Sequence, residues 1–153
     1  MEDEIRARWT GELEPFIGEW YTEAMFPAGG ASGVGGRTAF ECMPVRQFVV
    51  QRWEVKHPDA PDGIAIIGFD VLRQTYVQHY FDSRGVARLY EMGFDGDTWT
   101  LSRTDPDFSP FDFYQRFTAT FSDDDRTIEG RWEIRHDGSV WQRDFDLRYR
   151  KLT

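Results

Sequence analysis

Runs in which apolar and polar residues alternate fill most of the chain, and short polar corners separate them. Four corners are Asp82-Ser83-Arg84-Gly85, Asp95-Gly96-Asp97, Ser122-Asp123-Asp124-Asp125-Arg126 and His136-Asp137-Gly138-Ser139. Asp and Gly tolerate the positive φ of tight hairpins, so each corner predicts a turn between antiparallel strands. The strand-like runs lie at about 17–26, 34–43, 47–56, 63–72, 75–82, 86–94, 98–104, 111–121, 127–136 and 139–150. Residues 2–15 read differently, as a polar lead-in of a helical turn or two that Pro15 stops. Looser loops at Pro27 to Gly33, His57 to Asp62 and Asp105 to Pro110 hold the Pro and Gly that exclude regular structure, while Gly33, Gly35 and Gly36 mark a bend early in the second run. The pattern predicts an all-β fold, an up-and-down antiparallel barrel of about ten strands, with 1–153 as a single domain. The mouth of such a barrel is a natural ligand pocket.

Residues two apart on a strand share a face. On the last run Trp141, Arg143, Phe145, Leu147 and Tyr149 form the apolar side, and Gln142, Asp144, Asp146, Arg148 and Arg150 the solvent side. On the ninth, Ile128, Gly130, Trp132, Ile134 and His136 face inward; on the eighth, Phe111, Phe113, Gln115, Phe117, Ala119 and Phe121 do. The fifth is nearly balanced: Thr75, Val77, His79 and Phe81 are assigned inward against Tyr76, Gln78 and Tyr80. On the sixth, Arg88, Tyr90, Met92 and Phe94 compete with Leu89 and Glu91.

Composition narrows the partners. At 40% hydrophobic and 16% aromatic, with thirteen Phe, six Trp and six Tyr, the chain suits pleated, half-buried surfaces. A net charge of −9 argues against nucleic acid, which needs clustered Lys and Arg. Cys42 stands alone, so neither a disulfide framework nor a cysteine-based metal site is expected. The charged start Met1-Glu2-Asp3-Glu4 has no apolar signal region, and no apolar stretch approaches the ~20 residues of a membrane span. The expectation is a cytoplasmic monomer or homodimer.

Candidate chemistry is sparse. Ala31-Ser32-Gly33-Val34-Gly35-Gly36-Arg37-Thr38 looks like a phosphate-binding loop but lacks its first Gly and its Lys, and leads into a strand. Asp123-Asp124-Asp125 has no Glu at the calcium-loop position and reads as a solvated turn. The imidazoles are His57, His79 and His136. His57 precedes Pro58 in a loop, and the other two carry inward parity, as proton-transfer groups, metal or haem ligands, or hydrogen-bonded core residues. No two are at ligand spacing, so no metal site is assigned. Arg143, between Trp141 and Phe145, must meet an anion or several acceptors if it points indoors; Glu91 is one internal candidate. The candidate ligand-binding residues are therefore Arg143, His79, Gln115, Trp141, Tyr90 and His136.

Three functions stay open. The first is binding of a small, hydrophobic or amphipathic molecule, anionic if Arg143 anchors it. The second is an enzyme in the same cavity, with His79 or His136 transferring a proton and Arg143 stabilising an anionic intermediate. The third is a structural or partner-binding barrel filled by Phe and Trp.

Phe16-Ile17-Gly18-Glu19-Trp20, Ile67-Gly68-Phe69-Asp70, Tyr80-Phe81-Asp82-Ser83-Arg84-Gly85 and the closing Leu147-Arg148-Tyr149-Arg150-Lys151 together resemble a calycin-like family of uncharacterised bacterial proteins. That family is distantly similar to fatty-acid-binding proteins, nitrobindins and lipocalins. The resemblance implies that Trp20 packs across the barrel base beneath Arg148 or Arg150. Nitrobindins carry a haem-ligating His on the last strand, and here no His follows His136, so no cofactor is assigned. The Arg-x-Tyr of fatty-acid-binding proteins is missing too, because Arg148 and Tyr149 are adjacent and point to opposite faces.

Overall fold

The structure, a computed structural model, describes residues 1–27 and 34–152. Ala31 to Gly33, which open the phosphate-loop likeness and the bend, and most of the Pro27 to Gly33 loop lie outside the described residues, while Val34 to Thr38 form regular strand. Ten strands form: β1 (Gly18–Met25), β2 (Val34–Cys42), β3 (Val49–Val55), β4 (Gly63–Asp70), β5 (Thr75–Asp82), β6 (Ala87–Phe94), β7 (Thr98–Arg103), β8 (Tyr114–Phe121), β9 (Thr127–Arg135) and β10 (Gln142–Lys151). Each is antiparallel to its chain neighbours, and β1 pairs with β10 to close the barrel. Closure satisfies every edge that an open sheet would leave unpaired. The corners behave as their residues require: Gly85, Gly96 and Gly138 take φ of 85°, 104° and 72°, and Asp125 takes 57°.

The helical lead-in is α1 (Glu2–Gly11), followed by a 3-10 turn at Glu14–Phe16. It caps the barrel base. Trp9 stacks on Phe69 with centroids 4.8 Å apart, and the Tyr76 hydroxyl donates to the Trp9 carbonyl at 2.6 Å. Phe16, fully buried, sits edge-on to Phe94, Trp99 and Phe121 with centroids 4.8 to 5.0 Å away. Trp20 packs beside this cluster and donates its indole N–H to the Phe16 carbonyl at 2.8 Å. The residue across its ring is Lys151, its cross-strand partner, with Nζ 5.2 Å from the centroid. Arg148 and Arg150 instead point outward and pair with Glu129 and Glu23, which corrects the role the resemblance implied for them.

Face assignments hold on β8 and β9 for the residues within those strands, where Gln115, Phe117, Ala119, Phe121 and Ile128 are buried; on β6, where two sets competed, Tyr90 and Met92 are the buried ones. Phe111 and Phe113 belong to the connection before β8 rather than to the strand. On β5 the alternative set wins, since Tyr76, Gln78 and Asp82 are buried while His79 and Phe81 are exposed.

β10 departs from simple alternation. Arg143 lies opposite Glu133 and Phe145 opposite Trp132, so Asp144 is an extra residue in a β-bulge. Phe145, Leu147 and Tyr149 keep their inward places, but the bulge turns Trp141 and Arg143 outward. Residues three apart normally lie on opposite faces of a strand; the bulge brings Arg143 and Asp146 to one face, where they pair at 2.7 Å.

Candidate functional site

Aromatic rings fill the lower half of the barrel, and the upper half is hollow. The cavity has a volume of about 390 Å³, within the range of small-molecule sites. Its walls are apolar and aromatic, with Phe113, Phe117, Trp132, Phe145 and Leu147 on one side and Trp53 and Tyr80 on the other. Trp53 and Tyr80 stack with centroids 5.4 Å apart.

Neutral polar groups punctuate this lining and mostly satisfy one another. The Tyr90 hydroxyl donates to Gln115 Oε1 at 3.1 Å, and Gln78 Nε2 donates to Gln51 Oε1 at 3.3 Å. The Thr22 and Thr38 hydroxyls lie 2.8 Å apart. Burial pushes the phenols of Tyr90 and Tyr149 up, so both remain hydrogen-bonding groups rather than charges at neutral pH. Trp99 also lines the cavity, and its buried indole N–H has no acceptor among the described residues.

The charges gather at the mouth. Tyr80 donates to Asp82 at 2.7 Å and Arg84 pairs with the same carboxylate at 2.7 Å, which braces the β5–β6 corner. Burial raises the Asp82 carboxyl, but hydrogen bonds from Arg84 and Tyr80 outweigh it and hold the group below the usual range. Arg88 has no such partner among the described residues: its Nε is buried without an acceptor there, and its guanidinium lies 5.7 Å from the Phe113 ring centroid. Asp144, exposed to the cavity by the bulge, is raised by burial and only partly relieved by Arg88.

Of the residues expected at the site, Gln115 and Tyr90 line the cavity together. Arg143 does not; it is half-exposed and held by Asp146, so its inward placement is corrected by the bulge. Trp141 is also outside, with Arg116 at 4.2 Å and Arg135 at 5.4 Å from its ring. His136 is exposed at the end of β9, where its backbone N–H donates to Ser139 Oγ at 3.1 Å. His79 lines a second concavity of about 410 Å³ outside the barrel, with Phe48, Ile66, Val77 and Leu89. None of the three histidines lines the interior, so the proton-transfer reading loses the groups it was built on. The hollow also departs from the filled-barrel reading, which fits the lower half alone.

Sequence reasoning missed Arg88 and Asp144. Arg88 was legible in its parity with Tyr90, Met92 and Phe94. Asp144 carried no local signal, because strand alternation places it on the solvent side.

The fold and site define a closed, ten-stranded antiparallel barrel with a base plugged by its N-terminal segment and an open-mouthed interior. The barrel resembles the crystal structure of Rv2717c from M. tuberculosis, with a TM-score of 0.63 and 10% identity over 94% of this chain and 96% of that one. At this identity the likeness shows the fold alone. No protein-family model matches the sequence, and no curated protein matches it either.

Proposed function

We propose that this barrel binds a small, largely apolar molecule in its interior, with the polar end of that molecule at the mouth beside Arg88. The observation that carries the reading is a cavity of about 390 Å³, lined by aromatic rings and holding an arginine whose Nε has no acceptor among the described residues. A cation in an apolar wall is costly unless a ligand or water completes its hydrogen bonds. Arg88 takes over the anchoring role expected of Arg143, and Gln115 and Tyr90 keep theirs. Size limits the ligand to the lower end of the small-molecule range.

The test uses N-phenyl-1-naphthylamine, an uncharged dye that brightens in apolar surroundings. Leu147 lines the hollow, and Leu147→Trp would occupy it. The dye should bind the native protein, and the variant, checked for folding by circular dichroism, should bind at least ~10-fold more weakly, about 1.4 kcal/mol. Equal binding by the two would assign the dye to the outer concavity around His79 and end the interior reading.

A further inference from the structure

Arg88 and Asp144 line the same cavity, one from β6 and one from the β10 bulge, and the arginine acts on the carboxyl electrostatically without forming an ion pair with it. The other charged residues lining the cavity are Arg84, Arg37, Asp59. Arg84 is held by Asp82, and Arg37 lies 4.0 Å from Glu19. Arg84, Arg37 and Asp59 are also exposed, which leaves Arg88 and Asp144 as the partly buried charges among the described lining residues, one a donor and one an acceptor, above the aromatic walls. A ligand carboxylate placed there would satisfy Arg88 but set a second negative charge beside Asp144. An uncharged group with an acceptor on one side and an N–H on the other satisfies both.

We infer that the ligand's polar end is an uncharged donor–acceptor group such as a carboxamide, lactam or ureide, with its oxygen toward Arg88 and its N–H toward Asp144. This inference rests on the reading of the interior as a binding site. The neutral amide and hydroxyl pairs deeper in the cavity agree with it: Gln51, Gln78 and Gln115 each keep a spare hydrogen-bonding capacity that serves amide-like ligands and gives an anion no charge. The burial that raises Asp144 also makes a hydrogen-bond donor more valuable to it than an anion. Rejection here follows the usual rule for specificity, in which an unpaired like charge excludes the wrong partner.

Three probes share one aromatic body: 2-naphthylacetamide, 2-naphthylacetate and methyl 2-naphthylacetate. Calorimetric titration at pH 7.5 should give the amide a dissociation constant at least ~10-fold lower than either of the others. Asp144→Asn should improve acetate binding and shrink the amide-over-acetate preference to ~3-fold or less, whereas Arg88→Met should weaken the amide by ~10-fold. Matched melting curves check that both variants fold. Acetate binding as tight as the amide in the native protein, or an unchanged preference in Asp144→Asn, would overturn the inference while leaving the binding cavity in place. Failure of all three probes to bind would overturn both readings.

Discussion

Asp107→Asn is expected to destabilise the fold by about 3–5 kcal/mol at pH 7, the usual consequence of leaving a buried charge without its partner. The Arg103 side chain is 0% exposed and that of Asp107 is 3% exposed. They meet through two bonds, Nε to Oδ2 at 2.7 Å and Nη2 to Oδ1 at 2.9 Å. Asp107 also accepts the backbone N–H groups of Leu89 and Ser109. This side chain therefore fills a gap in the barrel wall, because β6 pairs with β7 only from Glu91 onward. Ser109 seals the same gap, accepting the Ala87 N–H and donating to the Ala87 carbonyl. Asn keeps the shape but removes the charge and turns an amide donor toward donors. Arg103 would then retain the carbonyls of Pro110 at 2.9 Å and Ser109 at 3.5 Å, with Nη1 unpaired as before.

The same pair makes a pH prediction. Hydrogen bonding to Arg103 holds the Asp107 carboxyl far below the usual carboxylate range, against the upward push of burial. A depressed folded pKa contributes its full stability above the unfolded value of about 3.9 and loses it as pH falls below that value. Urea unfolding followed by tryptophan fluorescence, at pH 7 and in steps toward pH 3, measures both effects. The gap between native protein and variant should narrow across the acid range. Removing both charges in Arg103→Met/Asp107→Leu should recover much of the loss. A loss under about 1 kcal/mol for Asp107→Asn, or a gap that stays constant with pH, would refute the argument.

Other outcomes follow from the packing. Trp20→Ala should cost about 3–5 kcal/mol in chemical denaturation, because the indole is fully buried and its N–H is bonded to the Phe16 carbonyl; a cost below 1 kcal/mol would mean that the base repacks without it. Gly130→Ala should cost about 1–3 kcal/mol, because a Cβ there would stand 2.5 Å from the Phe117 ring and 2.8 Å from the Ala119 Cβ; an unchanged melting curve would show that this wall yields.

The strand count, the hairpins and the helical lead-in were legible because they depend on residues close together in the chain. A period of two and an Asp or Gly able to take positive φ act within a few residues. Face assignments were legible where one side is plainly wet, as on β9, with Glu129, Arg131, Glu133 and Arg135 turned away from Ile128 and Trp132. They became ambiguous on β5, because both of its faces are partly covered: Tyr76 and Gln78 point into the barrel, while Val77 and His79 line the outer concavity with Phe48 and Leu89. Gln115 was therefore found, Tyr90 came from a strand whose two faces competed, and His79 was misplaced.

The sequence by itself determined an up-and-down antiparallel barrel with a short helical lead-in and an aromatic-rich inner face, since alternation, turn chemistry and apolar volume are properties of the chain. Tertiary structure alone decided which charges reach the cavity. One extra residue at Asp144 turns Arg143 out to Asp146 and brings a carboxylate inward, and that bulge is defined only by the register of β10 against β9. Arg103 and Asp107 likewise read as a strand end and a loop residue until the parting of β6 and β7 makes them a buried pair. The physical reason is common to both cases. A charge lies indoors or outdoors according to which partners the folded chain brings within hydrogen-bonding distance, and no local pattern records that.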